Sequence, residues 1–170
     1  MKARGASIIE ILIYTAILVL LMSVVVSTLL AISRSYRTLS AAQQVESAAE
    51  SSLDRMLREV RGARSIDVSQ STFGASPGQL MLNKTNTDGS TTTVQFFLSS
   101  QSLHIKKAGV DMGPLNATSS KIANLIFRQI TTTHSQAVKI ELTIESGQGP
   151  SYRSKLFYGT AVLRGSYAGQ

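Results

Sequence analysis

The chain has 170 residues and a formal net charge of +7, with 43% hydrophobic and 16% charged residues. This length accommodates one domain with an appendage, but not two ordinary globular domains. The absence of cysteine excludes disulfides, thiolate metal sites and cysteine nucleophiles, and two histidines alone argue against a zinc site. We therefore expect no metal and no cofactor. The positive charge permits a polyanion or a membrane surface as partner but specifies neither.

The first predicted element is a membrane-spanning helix. Residues 11–32 form an apolar run without a charge, and a helix of that length reaches about 33 Å, which crosses a hydrocarbon core. Lys2 and Arg4 precede it and favour an N-terminus inside, with the rest of the chain exported. A removed secretory signal is the alternative, but this run exceeds the usual length of about 7–15 residues and no A-x-A site ends it. An N-terminal anchor fits better.

The helical period continues beyond the apolar run. Between residues 33 and 61 there is no proline and no glycine, and Gly62 is a natural stop signal. We therefore expect one helix from about Ser7 to Arg61, whose stripe over Tyr36–Val60 packs on the rest of the chain. The apolar positions at steps of three and four are Ile32, Tyr36, Leu39, Ala42, Val45, Ala49, Leu53, Met56 and Val60.

After residue 62 the period changes to two, which predicts antiparallel strands. Residues 138–145 alternate apolar and polar side chains, the pattern of a half-buried strand. The other strands are indicated by Leu80 and Leu82; by Val94, Phe96 and Leu98; by Leu103 and Ile105; by Leu125 and Phe127; and by Tyr152, Leu156, Tyr158 and Val162. Asp88-Gly89 predicts a hairpin turn, and Gly109–Ser120 a long loop. The fold class is α+β, with the helix covering one face of an antiparallel sheet.

Two features suggest chemistry only weakly. Gly74-Ala75-Ser76-Pro77-Gly78 matches G-x-S-x-G, but that nucleophile elbow requires a helix after the serine, and here a proline and a strand pattern follow. We interpret the segment as a turn. We interpret His104 and His134 as surface residues, because neither has carboxylates at a spacing typical of a metal site or a triad. We therefore expect no enzymatic activity.

Four arginines recur at every third residue where the helix ends: Arg55, Arg58, Arg61 and Arg64. They are candidates for contact with phosphates or another anion. The alternative is a solvated helix face, partly neutralised by Asp54 and Glu59, which lie four residues from Arg58 and Arg55. Steps of three drift by about 60° each around a helix, so the four do not form one line. This favours the solvated face.

Glu10 is the only charged residue between Gly5 and Arg34. An unpaired carboxylate in a membrane span costs a few kcal/mol and is a functional hypothesis by default. The alternative is that Glu10 lies shallow enough to reach the membrane interface.

The N-terminus resembles a known signal. Lys2-Ala3-Arg4-Gly5, then Ala6-Ser7-Ile8-Ile9-Glu10 and the apolar run, is similar to the class III signal of type IV pilins and type II secretion pseudopilins. The resemblance implies that prepilin peptidase cuts after Gly5, that Ala6 becomes the methylated N-terminus, and that Glu10 is fifth in the mature chain. In a filament, Glu10 of one subunit would neutralise the Ala6 ammonium of its neighbour and set the axial register.

The resemblance also implies an organisation and partners. Residues 1–5 form the leader, 6–32 the membrane and filament-core helix, and 33–170 an extracytoplasmic pilin-like domain with an amphipathic helix over 33–62 and a β region over 63–170. The implied partners are prepilin peptidase, other pilins or pseudopilins in a filament or tip complex, an inner-membrane assembly platform, and lipid before assembly. The implied location is the cytoplasmic (inner) membrane, then a periplasmic or extracellular filament.

Residues 53–63 are similar to J-type minor pseudopilins and W-type minor pilins, which implies a minor, tip-associated subunit. The type of machine stays open between a secretion system, a motility pilus and a competence pilus. The alternative function is a permanently anchored extracytoplasmic module that binds DNA or another polyanion through its positive charge.

Overall fold

The computed structural model describes residues 7–133 and 135–167. Its α-helix and strands are α1 (Ile8–Arg61), β1 (Ser65–Ile66), β2 (Leu80–Thr85), β3 (Thr91–Ser99), β4 (Ser102–Lys107), β5 (Val110–Pro114), β6 (Ser120–Thr131), β7 (Gln136–Ser146) and β8 (Arg153–Val162). Short 3₁₀ turns cover Gly149–Ser151 and Arg164–Tyr167. The predicted α+β class is confirmed.

Helix α1 runs unbroken for 54 residues, about 80 Å at the α-helical rise. It begins and ends within one residue of the predicted bounds, because no helix breaker interrupts it. At its end the Gly62 N–H donates to the Arg58 carbonyl oxygen over 3.1 Å. The apolar first half and the second half therefore belong to one continuous helix.

The strands form two antiparallel sheets where the alternating pattern suggested one. The first is a meander in the order β1–β2–β3–β4–β5, and the second has the order β6–β7–β8. In the second sheet, inner pairs such as Phe127–Ile140 and Leu142–Phe157 lie in register on the covered face. The predicted strand over residues 138–145 is thus the centre of the three-stranded sheet.

The loop predicted over Gly109–Ser120 was wrong in its first half, which forms strand β5. Ala108 and Gly109 both have positive φ angles, 49° and 81°, and connect Lys107 to its partner Val110. Two positive φ angles in a two-residue connection are typical of the hairpin turns that match strand twist. The turn signal here is Ala-Gly rather than Asn-Gly, so the composition alone indicated a loop.

One core joins both sheets to the C-terminal half of α1. Its fully buried large side chains are Met56, Leu80, Leu82, Phe96, Leu103, Ile122, Leu125, Phe127, Ile140, Leu142, Ile144 and Leu163. Gly74 and Gly78 tie the loop before β2 to the edge of β6, because their N–H groups donate to the Phe127 and Leu125 carbonyls. The domain is therefore built on the second half of the helix.

Strand β8 exists as predicted, but the predicted apolar face was wrong. Leu156, Tyr158 and Val162 are 40–59% exposed, whereas the alternate positions Phe157, Gly159 and Ala161 face the helix and core. A Cβ on Gly159 would lie only 3.3 Å from Leu57 Cδ1, so the helix approaches this strand closely. The inner face is therefore small at Gly159 and Ala161, and Leu156, Tyr158 and Val162 lie on the outer face.

The stripe predicted to cover the sheet was also wrong at its start. Tyr36 is 72% and Leu39 is 59% exposed, and the first buried helical residue is Ala41. Leu39 precedes Ala41 by two residues, about 200° around the helix, so it lies on the opposite face. The apolar period continues through this region, but the domain does not extend far enough along the helix to cover it.

Candidate functional site

The N-terminal half of α1 projects from the domain without a covering element. Every residue from Ile8 to Leu30 is exposed among the described residues, and its large apolar side chains are between 49% and 85% exposed. The helix is long and apolar enough to span a membrane or to act as a signal sequence. This surface requires lipid or other helices as its surroundings, since contiguous apolar patches of this size mark interaction sites.

Glu10 lies in the first turn of this projecting helix. Tyr14, one turn later, donates from Oη to Glu10 Oε1 over 3.3 Å. This contact was not predicted, although the four-residue spacing is the signal that could have revealed it. The two predicted processing residues, Gly5 and Ala6, lie outside the described residues.

The helix segment that follows the apolar run, residues 33–40, carries different side chains on its two faces. Arg34 and Arg37 precede the buried Ala41 by seven and four residues, which places them on the helix face that points toward the domain. Tyr36 and Leu39 lie on the opposite face, where nothing in the described part of the chain covers them. The segment between span and domain is therefore basic on one side and apolar on the other.

The four arginines of the predicted stripe have different surroundings. Arg55 and Arg58 form the expected four-residue ion pairs with Glu59 and Asp54, at 3.1 Å and 2.7 Å. Arg61 and Arg64 have no ion-pair partner within the ranges 7–133 and 135–167. Half of the stripe is neutralised within the chain, which leaves Arg61 and Arg64 as its available charges.

A basic cluster not predicted from the sequence surrounds Glu59. The Glu59 side chain is only 7% exposed, and its oxygens bind Lys84 Nζ at 2.6 Å and Lys107 Nζ at 3.1 Å, in addition to Arg55. Lys84 lies at the end of β2 and Lys107 at the end of β4, so the carboxylate ties helix α1 to the five-stranded sheet. No linear spacing indicates this cluster, because its members come from three elements.

The electrostatics of Glu59 follow from this geometry. Burial raises the pKa of its carboxyl, but hydrogen bonds and Coulomb attraction from Lys84 and Lys107 outweigh burial and bring the pKa below its ordinary value. Glu59 is therefore charged at neutral pH. With three cations around one anion, the cluster keeps a net charge of about +2.

Ser76 and His104, the described residues considered for catalysis, have different hydrogen-bond partners. Ser76 is exposed in a turn, and its Oγ accepts from the Leu125 N–H at 3.3 Å. His104 faces outward from β4 as predicted, but it is only partly exposed, and its Nδ1 lies 3.1 Å from Asp111 Oδ2. That neighbour was missed because β5 was not predicted. His134 lies outside the described residues. Within the described ranges, no three acidic, histidine or cysteine side chains converge on a metal position.

A polar cavity of about 520 Å³ lies beside the helix at the end of the three-stranded sheet. Ser146 Oγ lies 2.6 Å from Gln44 Oε1 and 2.8 Å from the Ser119 carbonyl oxygen. The helix, the end of β7 and the start of β6 therefore meet there. Lys121 and Glu145 both line it, so their charges balance. The cavity offers hydrogen bonds but no excess charge for an ionic ligand.

The chain matches no protein-family model, no curated protein and no solved structure. The assignment therefore depends on the architecture itself. A long N-terminal apolar helix packs its second half on antiparallel sheets and leaves its first half bare. This is a pilin-like architecture.

Proposed function

We propose that the chain is a structural subunit, of the minor type, in a type IV pilus or a type II secretion pseudopilus. The observation that carries the proposal is the continuous helix Ile8–Arg61, apolar and exposed in its first half and buried against the domain in its second. A rigid helix of this kind moves from lipid into a bundle of identical or related helices without refolding. The domain then forms the outer surface of the filament.

The leader and Glu10 supply the rest of the mechanism. Cleavage after Gly5 by prepilin peptidase creates an ammonium at Ala6, which is then methylated. Glu10 of a neighbouring subunit neutralises that ammonium inside the apolar bundle, so that two charges that are costly alone cancel. Tyr14 supports the carboxylate with its hydroxyl. The proposed partners are the peptidase, other pilins or pseudopilins and the inner-membrane assembly platform, and no catalytic reaction is assigned.

The cleavage is tested by the mass of the N-terminus. When prepilin peptidase is present, we expect the mature protein to begin at Ala6 with a methylated amine. Gly5→Leu is expected to block the cut, because a side chain at that position obstructs close approach of the peptidase to the backbone. Ala3→Leu, which adds the same bulk two residues earlier, is the control. An intact Met1, or a cut after the apolar run, would overturn the pilin assignment.

The assembly role of Glu10 is tested by Glu10→Val. Loss of one partner from a buried ion pair costs about 3–5 kcal/mol, so the variant should still insert and be cut, yet fail to enter the filament. Cross-linking to partner pilins measures incorporation, with the membrane level as reference. Leu12→Val changes an uncharged position of the same helix and should assemble normally. Normal incorporation of Glu10→Val would favour a plain anchor.

A second candidate function is an anchored module that binds DNA or another polyanion. Arg61, Arg64 and the excess charge around Glu59 favour it, whereas the internal pairing of Arg55 and Arg58 weakens it. Full-length protein in a neutral detergent should then retain duplex DNA at low salt and release it as salt rises. Arg61→Glu with Arg64→Glu should abolish retention. An absence of retention at low salt would exclude this candidate.

A further inference from the structure

Four basic side chains surround the end of the domain from which the apolar half of the helix emerges. We call them the basic collar: Arg34, Arg37, Lys121 and Arg153. All four are exposed, and none has an ion-pair partner among the described residues. They come from three elements that are distant in sequence, so the alternating and helical patterns gave no sign of them.

The topology places the collar at one end of the molecule. Strand β6 begins at Ser120, β7 ends at Ser146 and β8 begins at Arg153, and these three residues are paired in register. Gly147 follows directly and lies against the first buried turn of the helix, since a Cβ there would be 3.1 Å from Ala41 Cβ. Lys121 and Arg153 therefore lie where the domain begins to cover the helix.

The two helical members of the collar lie on the same side. Arg34 and Arg37 share the helix face of Ala41, which points toward the three-stranded sheet. They follow Ile32, the end of the apolar run, by about 3 Å and 8 Å along the helix axis. These heights fall within the headgroup layer of a bilayer, which is about 5–8 Å thick on each side.

Neighbouring acidic groups neutralise the collar only in part. Glu46 binds Lys155, which is not a collar residue. Glu145 lies opposite Lys121 in the strand register and accepts a hydrogen bond from the uncharged Tyr152 hydroxyl over 2.9 Å, so its carboxylate offsets one collar charge. The collar therefore keeps a net charge of about +3 at the end of the domain from which the helix emerges. Anionic phosphate groups of lipids lie at that end, within the Debye length of about 8 Å.

We propose that the basic collar binds anionic phospholipid headgroups and tilts the rigid helix toward its three-stranded sheet. The inference rests on the proposed function only in requiring that α1 span a bilayer. The tilt follows because all four charges lie on one side of the helix, whereas Tyr36 and Leu39 on the other side are uncharged. Long basic side chains extend from the domain toward the headgroups, as they do at membrane surfaces generally.

The absence of cysteine makes the tilt measurable with single labels. Full-length protein carrying Gln148→Cys reports the collar side, because residue 148 adjoins Gly147. Gln43→Cys reports the opposite helix face near the same height. Each variant is labelled with a fluorophore and inserted in nanodiscs of phosphatidylcholine, with or without one-third phosphatidylglycerol. All nanodiscs contain a lipid with a spin label on its headgroup, which quenches the fluorophore. We expect quenching at 148 relative to 43 to rise in anionic discs and to fall again at high salt.

Charge reversal tests whether the collar causes this response. Lys121→Glu with Arg153→Glu should abolish the dependence on lipid charge, because each removed charge weakens binding about fivefold. Arg61→Glu with Arg64→Glu changes the net charge equally at the far end of the domain and should leave the response intact. A quenching ratio that is equal in both lipids, or equally reduced by both pairs of substitutions, would overturn the proposal.

Insertion is scored separately, by co-purification of the chain with the discs. A chain that does not insert would overturn both the membrane anchoring of the proposed function and the role of the collar. A chain that inserts but shows no dependence on lipid charge would overturn the collar alone. The assay uses protein outside any filament, so its result is independent of the assembly test on Glu10.

Discussion

The two halves of helix α1 have opposite relations between hydrophobicity and burial. Residues 8–32 are dominated by large aliphatic side chains and are exposed, whereas Ala41–Val60 are more polar and provide the buried face. Four of the eight buried helical residues are small: Ala41, Ala48, Ala49 and Ser52. Small residues let the helix backbone approach the sheet closely, and large ones suit lipid or a bundle of helices. Hydrophobicity therefore indicates which half needs a partner, and residue size indicates which half has one within the chain.

The sharpest test of this comparison uses the same substitution in each half. Met56 is fully buried and Met22 is 59% exposed. Met56→Ala should lower the free energy of unfolding of the domain by about 2–5 kcal/mol, through lost burial and a residual cavity. Met22→Ala should leave it unchanged, because that side chain touches no part of the domain. Urea unfolding of the full chain in detergent, followed by the β-sheet circular dichroism signal, measures both.

Equal effects of the two substitutions on the free energy of unfolding would contradict the contrast between the two halves of the helix. If Met22→Ala destabilised the domain as much as Met56→Ala, the bare half would have to pack on the domain in solution. If Met22→Ala instead reduced the helical circular dichroism signal without changing the urea midpoint, its effect would lie in the projecting half of the helix.

Much of the fold was predictable because its local signals agree. The helix bounds follow from an uninterrupted helical period ended by Gly62, and β7 follows from strict alternation over residues 138–145. The inner face of β8 was not predictable, because hydrophobicity favours Leu156 and Tyr158 while close approach of the helix requires Gly159 and Ala161. Alternation identifies a strand, but the space left by its neighbour decides which face is inside.

The candidate site was predictable only where it is linear. Glu10 and its apolar surroundings lie within one segment, so the sequence identifies the charge directly. The cluster around Glu59 and the basic collar each bring together residues from three elements, and neither has a characteristic spacing. Their positions depend on strand order and register, which no single segment specifies.

A second test concerns the point where the covered half of the helix begins. Gly147 has a φ of 82°, and a Cβ there would clash with the Ser151 carbonyl oxygen. Gly147→Ala should cost more than the roughly 1–3 kcal/mol of a strained backbone alone, since it adds a clash beside Ala41. Gly89 has nearly the same φ, 83°, with no atom near its Cβ position, so Gly89→Ala isolates the conformational cost. Thermal unfolding compares the two, and equal shifts would mean that the turn moves away from the helix.

The smallest expected effect concerns the ionic contact at the other end of the covered half. Glu59 joins the helix to β2 and β4 through a carboxylate that is almost buried, whereas the ion pair between the helix and the three-stranded sheet, Glu46–Lys155, is exposed. Glu59→Gln should destabilise the domain by about 1–2 kcal/mol at pH 7, less than a fully buried pair because its cationic partners are partly exposed. Asp54→Asn removes an exposed carboxylate one turn earlier and is the matched control, with an expected effect below about 0.5 kcal/mol.

The pH dependence identifies the charge as the cause. The pKa of Glu59 is lower in the folded protein than its ordinary value of 4.5, so its contribution to stability is present above pH 4.5 and is lost as the pH falls through the folded pKa. Other carboxylates with lowered pKa values, such as Glu141 and Asp111, add to acid destabilisation in both proteins. The quantity to measure is therefore the difference in unfolding free energy between wild type and Glu59→Gln at pH 7, 5, 4 and 3. We expect that difference to be constant from pH 7 to 5 and to shrink below, because a protonated Glu59 resembles glutamine. A difference that persists unchanged at pH 3 would assign the effect to packing of the side chain rather than to its ion pairs with Lys84 and Lys107.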